Sequence, residues 1–294
     1  MKKQFHFKLT TFDRNVNIPI LNIDLQLFDA ENFTEKEICS PYYFVVIMDG
    51  TADFSIDFNA YSTNGKTLIF LSPYQLLQWG KVDFTELKIL KFHGDFYCIE
   101  YHKEEVACNG ILFNSIYETP FVRVSNPIYE EIQWIIDKFQ SLQNLELSYN
   151  VAVSKTYLQL ILALSSREKQ IQNETNSTKI TDSLNFYNLL ENSFINEKSV
   201  SFYADYYHLS VDAFSKKVKK NYGKTPSKLI QERLILEAKK EIHLTYKSIK
   251  EIARDLGFDD EFYFSRYFKK EVGVSPKIFR EQVGISIAAK KSIE

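Results

Sequence analysis

The chain has 294 residues, long enough for two domains. Hydrophobic residues make up 45% and charged residues 25%, which excludes a disordered chain. No apolar run reaches the roughly 18 residues of a membrane-spanning helix. The net charge of −2 speaks, taken whole, against a nucleic-acid partner. Three cysteines, Cys39, Cys98 and Cys108, fit a reducing compartment better than a disulfide framework. Met1–Lys8 lacks the apolar run of a signal peptide, so the expected location is the cytoplasm.

The first 120 or so residues read as short strands. Tyr42–Met48 is a continuous apolar run followed by a turn at Asp49–Gly50, and Asp53–Phe58 alternates with Phe54, Ile56 and Phe58 on one face. Asn64–Gly65 marks a turn before Thr67–Leu71, and Leu87–Phe92 and Phe96–Ile99 are further strands. Short strands between turns predict a small sandwich or barrel over residues 1–125.

The period then changes. Asn126–Pro127 reads as an N-cap followed by Pro at the first helical position. Ile128, Ile132, Ile135, Phe139 and Leu142 make one helical stripe, and Val153, Tyr157, Leu160 and Leu164 make a second, joined around Leu147–Asn150. This hairpin, residues 126–165, either packs on the sheet or pairs with its copy in a homodimer. Residues 166–181 are polar and read as a linker. Divided at residue 181, the charge separates: 16 basic against 22 acidic side chains before it, net −6, and 20 against 16 after it, net +4.

Residues 182–284 read as helical and contain an internal repeat. Ser199, Ala204, Leu209, Phe214-Ser215-Lys216, Lys219-Lys220, Gly223 and Pro226 recur as Ser248, Ala253, Phe258, Phe264-Ser265-Arg266, Lys269-Lys270, Gly273 and Pro276, at an offset of 49 before the turn and 50 after it. Ser248-Ile249-Lys250-Glu251 is a capping box, Ala253 and Ala204 suit close helix approach, and Gly257 suits the positive φ that leaves a helix. Asp259 or Asp260 caps the next helix, and Ser275–Pro276 and Thr225–Pro226 each restart one. Each copy is therefore a helix-turn-helix. A helical spacer from Pro226 to about Ile242, roughly 26 Å long at 1.5 Å per residue, sets their second helices about one DNA turn apart. Lys216, Lys217, Lys219 and Lys220, with Lys224 and Lys228 behind them, and Arg266, Lys269 and Lys270 concentrate positive charge at matched positions.

From Ser248 to Arg280 the chain resembles the second helix-turn-helix of the AraC/XylS family of bacterial transcription regulators, on Ile249, Ile252-Ala253, Gly257-Phe258, Phe264-Ser265-Arg266, Phe268-Lys269, Gly273, Ser275-Pro276 and Arg280. The resemblance implies a seven-helix DNA-binding domain with a recognition helix from each unit in the major groove. Carried over by position, Asp212, Ser215 and Lys216 face bases from the first helix and Glu261, Phe262, Tyr263 and Arg266 from the second. Arg266 and Lys216 suit guanine O6 and N7, Phe262 or Tyr263 suits thymine methyls, and Glu261 and Asp212 either accept from cytosine N4 or only cap and repel. Lys219, Lys220, Lys269 and Lys270 suit phosphates. Phe214, Phe264 and Phe268 belong to the core.

The N-terminal half is similar to the cupin-type sensing domain of such regulators, on Phe54–Phe58 and Ile69–Pro73 with Gln75 and Trp79. It departs at Leu77, where related regulators often carry His, and no metal site of enzymatic cupin type is supported. The implied fold class is thus α+β and multi-domain: a cupin-like β-barrel with a helical hairpin, a linker, an all-α double helix-turn-helix, and a tail over residues 285–294. His93, Cys98, His102 and Cys108 lie close in sequence, but their spacing fits no compact zinc pattern. His208 and His243 read as isolated helical residues. The expected protein is a sequence-specific transcription regulator with no catalytic residue, no cofactor and no membrane partner. Its expected partners are double-stranded DNA, RNA polymerase, an unidentified small-molecule effector and a second copy of the chain. The rivals are a cupin enzyme fused to a DNA-binding module and a non-specific architectural DNA binder.

Overall fold

The computed structural model describes residues 5–12, 19–28, 37–57, 59–94, 96–97, 111–113, 116, 119–142, 148–177 and 185–285. The chain divides into two compact units, Met1–Phe113 with Pro120–Ile171 and Asn114–Thr119 with Gln172–Glu294. Among the described residues no helix is long and apolar enough to cross a membrane.

Unit 1 is an antiparallel sheet of β1 (Phe5–Phe12), β2 (Pro19–Phe28), β3 (Glu37–Ile38), β4 (Tyr43–Ile56), β5 (Asn59–Asn64), β6 (Thr67–Leu71), β7 (Leu77–Phe92) and β8 (Phe121–Arg123). The strand order is β1-β2-β7-β4-β6-β8, with β3 on β7 and β5 on β4. Among the described residues no pairing joins β1 to β8, so the sheet is open rather than a closed barrel. Two strands are longer than the sequence pattern predicts. Asp49–Gly50 is not a turn but a bulge inside β4, where the register against β7 shifts. Gly50 has φ +140°, and a Cβ there would lie 2.4 Å from the Asp83 carbonyl oxygen, so the partner strand closes over it. The strand continues because Ala52, Phe54 and Ile56 keep the inward alternation of the residues before the bulge. Phe96 and Tyr97 are buried in a turn, not a strand, and Phe58, Cys98 and Ile99 lie outside the described residues.

Both faces of the sheet are covered, which explains the unbroken apolar run of β4. Val45, Ile47, Leu68, Phe70, Leu90 and Phe92 face α1 (Asn126–Ser141) and α2 (Ser148–Ser177), while Phe44, Val46, Met48, Ile69, Leu71 and Ile89 form a second cluster with Phe54, Ile56, Leu77 and Phe84. Ser125, not Asn126, stands at the N-cap of α1, since its carbonyl accepts from the Tyr129 N–H. Ile128, Ile132, Ile135, Phe139 and Leu164 are buried in this same-chain core, with Leu142 and Tyr157 packed at its margin. Lys88 is buried among Glu86, 2.9 Å away, and Gln133 of α1, pinning that helix to β7.

The segment expected as a linker is helical up to Ser177, and residues 178–184 lie outside the described residues. Ser165–Ser177 contains neither Gly nor Pro to stop α2. Its polar side chains are also used: Ser165 Oγ donates to the Ile161 carbonyl at 2.7 Å, and buried Lys169 donates to the Phe121 carbonyl at 2.9 Å.

Unit 2 holds, among the described residues, α3 (Phe186–Ser193), α4 (Val200–Tyr206), α5 (Val211–Tyr222), α6 (Pro226–Leu244), α7 (Ile249–Asp255), α8 (Glu261–Val272) and α9 (Pro276–Val283). The spacer helix α6 is 19 residues, about 28 Å at 1.5 Å per residue. Of the tail, only Ile285 lies inside the described residues.

Candidate nucleic-acid interface

The repeat seen in the sequence is a repeat of geometry. Ser210 Oγ accepts from the Ala213 N–H at the start of α5, and Asp260 Oδ1 accepts from the Phe262 and Tyr263 N–H groups at the start of α8. Asp260 rather than Asp259 is therefore the cap. Thr225 and Ser275 cap α6 and α9 with Pro226 and Pro276 at the first position. Ser248 and Glu251 form the full capping box: Ser248 Oγ accepts from the Glu251 N–H, and Glu251 Oε2 accepts from the Ser248 N–H at 2.7 Å. These bonds hold the Glu251 carboxyl below the usual carboxylate range. Gly223 and Gly273 end α5 and α8 as left-handed C-caps.

The inner faces are apolar and closed. Ala204, Phe214, Phe264 and Phe268 are fully buried, Ala253 and Phe258 nearly so, and Pro226 and Pro276 are buried too. Phe186 brings a ring to Phe214 and Tyr203, a contribution of α3 that the repeat does not contain. Phe258 packs on Phe264 at 5.2 Å, and Phe268 on Phe279 at 5.6 Å.

The outer faces carry the candidate contacts. Asp212 and Lys216 on α5 and Phe262, Tyr263 and Arg266 on α8 are exposed, while Ser215 and Glu261 are half-buried. Phe262 is 72% and Tyr263 56% exposed, two adjacent aromatic side chains in the first turn of α8. Lys219, Lys220, Lys269 and Lys270 are exposed in the last turns, where they also complement the helix dipoles. Lys224 and Lys228 are engaged elsewhere. Lys224 pairs with Glu232 at 2.7 Å and Lys228 with Glu271 at 3.6 Å, so they brace α6.

The bracing continues through Arg233, whose Nε donates to both Glu191 carboxylate oxygens at 2.9 Å and whose Nη1 donates to Glu237 at 2.8 Å. Burial alone would depress its pKa, but hydrogen bonds and charge from Glu237 and Glu191 raise it. Its guanidinium lies 4.0 Å from the Phe194 ring centroid. At the far end of α6, Arg280 Nε donates to the Ile242 carbonyl at 3.1 Å, with the charge set against the carbonyl end of the helix. His243 is buried with Nδ1 at 2.9 Å from the Gly284 carbonyl oxygen. His208 is not helical; it sits in the turn between α4 and α5 at φ +54°. No sequence signal announced the contacts of Arg233 or Lys198: Arg233 lies outside the repeat, and Lys198 matches Lys247 at the offset of 49 but takes a different partner.

In unit 1, residues that carried the sensing-domain likeness make contacts within the fold. Gln75 accepts from the Ser72 N–H at 2.8 Å and donates to Asp57 Oδ2 at 3.1 Å, and Leu77 is fully buried. Among the described residues no three His, Cys, Asp or Glu side chains gather to hold a metal. Cys98, His102 and Cys108 lie outside those residues, and His93 is buried against Tyr42.

A family model described as a helix-turn-helix domain matches residues 203–282. The HTH-type transcriptional activator RhaS of Enterobacter sp. (strain 638) is 23% identical over 160 residues, 54% of this chain and 56% of that protein. RhaS of Pectobacterium atrosepticum is 25% identical over 154 residues, 52% of this chain and 54% of its own length. The chain spans about half the length of the curated relatives it matches. The C-terminal domain of the response regulator yesN from Fusobacterium nucleatum aligns at 29% identity over 32% of this chain and 92% of its own, with a TM-score of 0.31. ToxT from Vibrio cholerae aligns at 16% identity over 96% and 99%, with a TM-score of 0.38. Residues 203–282 thus match a helix-turn-helix domain, and about half of the chain is similar to HTH-type transcriptional activators.

Proposed function

We propose that this chain is a sequence-specific DNA-binding transcription regulator, with α5 and α8 as its two recognition helices. The observation that carries this reading is the matched pair of helices with buried aromatic inner faces and cationic outer faces. Asp212, Ser215 and Lys216 read bases from α5, and Glu261, Phe262, Tyr263 and Arg266 read them from α8. Lys216 and Arg266 hold equivalent positions, exposed and one turn before the C-terminal lysines. That order, with base readers ahead of phosphate contacts along each helix, supports the assignment. The exposed rings of Phe262 and Tyr263 suit thymine methyls.

The N-terminal unit is assigned the response to a small-molecule effector, with homodimerisation and contact to RNA polymerase as the remaining parts of the mechanism. Genome-wide footprinting tests the DNA reading. A regulator gives few sharp sites; broad coverage identifies an architectural binder instead. Lys216→Ala and Arg266→Ala should each cost about 1–3 kcal/mol of binding and relax preference at one position. A loss equal on all sequences removes the base-reading assignment.

A further inference from the structure

We propose that Lys198 is a positioning residue that locks the two helix-turn-helix units at one separation, and so sets the spacing of the DNA site they read. The inference rests on the DNA-binding reading above. Both units pack on α6, Arg233 tying its middle to α3 and Lys228 in its first turn pairing with Glu271 of α8. Two bodies that share one rod keep freedom to rotate about it unless a second contact joins them away from its axis.

The loop between α3 and α4 supplies that contact directly, without passing through α6. Lys198 Nζ donates to the Gly257 carbonyl oxygen in the turn between α7 and α8, and stands 4.6 Å from the centroid of the Phe258 ring. The approach is close enough to dictate the residue beneath it. A Cβ on Gly257 would lie 2.9 Å from both the Ile195 carbonyl oxygen and Lys198 Nζ, and its φ is +68°. The loop is itself held, since Tyr203 Oη donates to the Glu197 carbonyl at 2.8 Å and Arg233 lies over Phe194. Lys198 is a surface residue, yet desolvation at this contact lowers its pKa, with the Asp259 charge opposing.

Packing does not substitute for this strap. A cleft of about 580 Å³ opens beside it, lined by Ile230 and Leu234 of α6 and by Phe258, Tyr263 and Tyr267. Lys198 lines the edge of that cleft. At the equivalent position of the first unit His208 stands in place of Gly257, also with a positive φ.

The test uses the full chain. In vitro selection from random duplexes yields the preferred bipartite site, and duplexes with one base pair removed or added between its halves then measure spacing tolerance. Each base pair moves one half by about 3.4 Å and about 34° relative to the other. Wild type should lose at least about tenfold in affinity per base pair of misspacing. Lys198→Met should hold the optimal site within about threefold while the misspacing penalty shrinks by about fivefold or more. Lys198→Arg, which keeps the cation and a donor, should restore the steep profile, and Phe258→Leu should broaden it without touching the charge. A Lys198→Met profile as steep as wild type, or a loss equal at every spacing, overturns the proposal. Selection that enriches no sequence with wild-type protein overturns the DNA reading itself, and the strap's role with it.

Discussion

His208 holds φ +54° in the first turn, where the second repeat has Gly257 at φ +68°. A side chain with a Cβ pays for that conformation with roughly 1 kcal/mol. His208→Gly should therefore stabilise the helical unit by up to about 1 kcal/mol, less the greater freedom of Gly in the unfolded chain, as read by urea unfolding. Gly257→Ala should do the reverse and more, because strain is joined there by a steric clash. Glu251 gives a pH dependence with a definite sign. Its pKa is depressed in the folded state by the bonds from Ser248, so its contribution is fully present above the ordinary carboxylate range and is lost as pH falls through the depressed value. Amide exchange in the first turn of α7 should accelerate over that acidic window, and Glu251→Gln should flatten the response. The caps at Thr225, Ser248 and Ser275 were legible residue by residue, and that of α8 to one of two aspartates, because a cap involves atoms two or three positions apart. Lys198 and Arg233 were not, since their partners lie 59 and 42 positions away.

At the scale of elements, the helical stripe of α1 is the instructive case. Its period was plain in the sequence, but the same stripe serves a dimer seam or a sheet-covering face. The sheet takes it: Ile132, Ile135 and Phe139 are fully buried within their own chain. Phe139→Ala should cost about 3–5 kcal/mol of unit 1 stability, independent of protein concentration. Leu160, 38% exposed on α2, and half-buried Val153 are the members of the set outside this core. Leu160→Asp should leave the melting temperature near wild type; if α2 is the dimer seam, sedimentation will show a shift toward monomer. The bulge at Gly50 teaches the same lesson in a strand. Asp-Gly is a strong turn signal locally, but the ladder from Asp49 to Ile56 against β7 outweighs it.

For the whole molecule, the charge distribution predicts how binding responds to salt. Lys219, Lys220, Lys269 and Lys270 present cations at matched sites of α5 and α8, so affinity should fall steeply with ionic strength. Removing one of them should weaken binding to all sequences alike and lower the salt slope by about one. A flat response between low and moderate salt counts against a phosphate-clamped mode. The net charge of −2 hides this behaviour, because an acidic first half cancels a basic second half.

The sequence by itself determined the double helix-turn-helix, its caps, its glycine exits and the aromatic positions of its core. All of these rest on interactions within a turn or two of helix, and a period of 3.6 residues records them directly. Only the tertiary structure decided which surface covers the α1 stripe, that α2 runs on through the polar stretch to Ser177, that the sheet is open among its described strands, and that Lys198 joins the two repeats. Those outcomes depend on contacts between residues tens of positions apart. A local pattern states that a face must be buried or a charge compensated, and the choice of partner belongs to the packed chain.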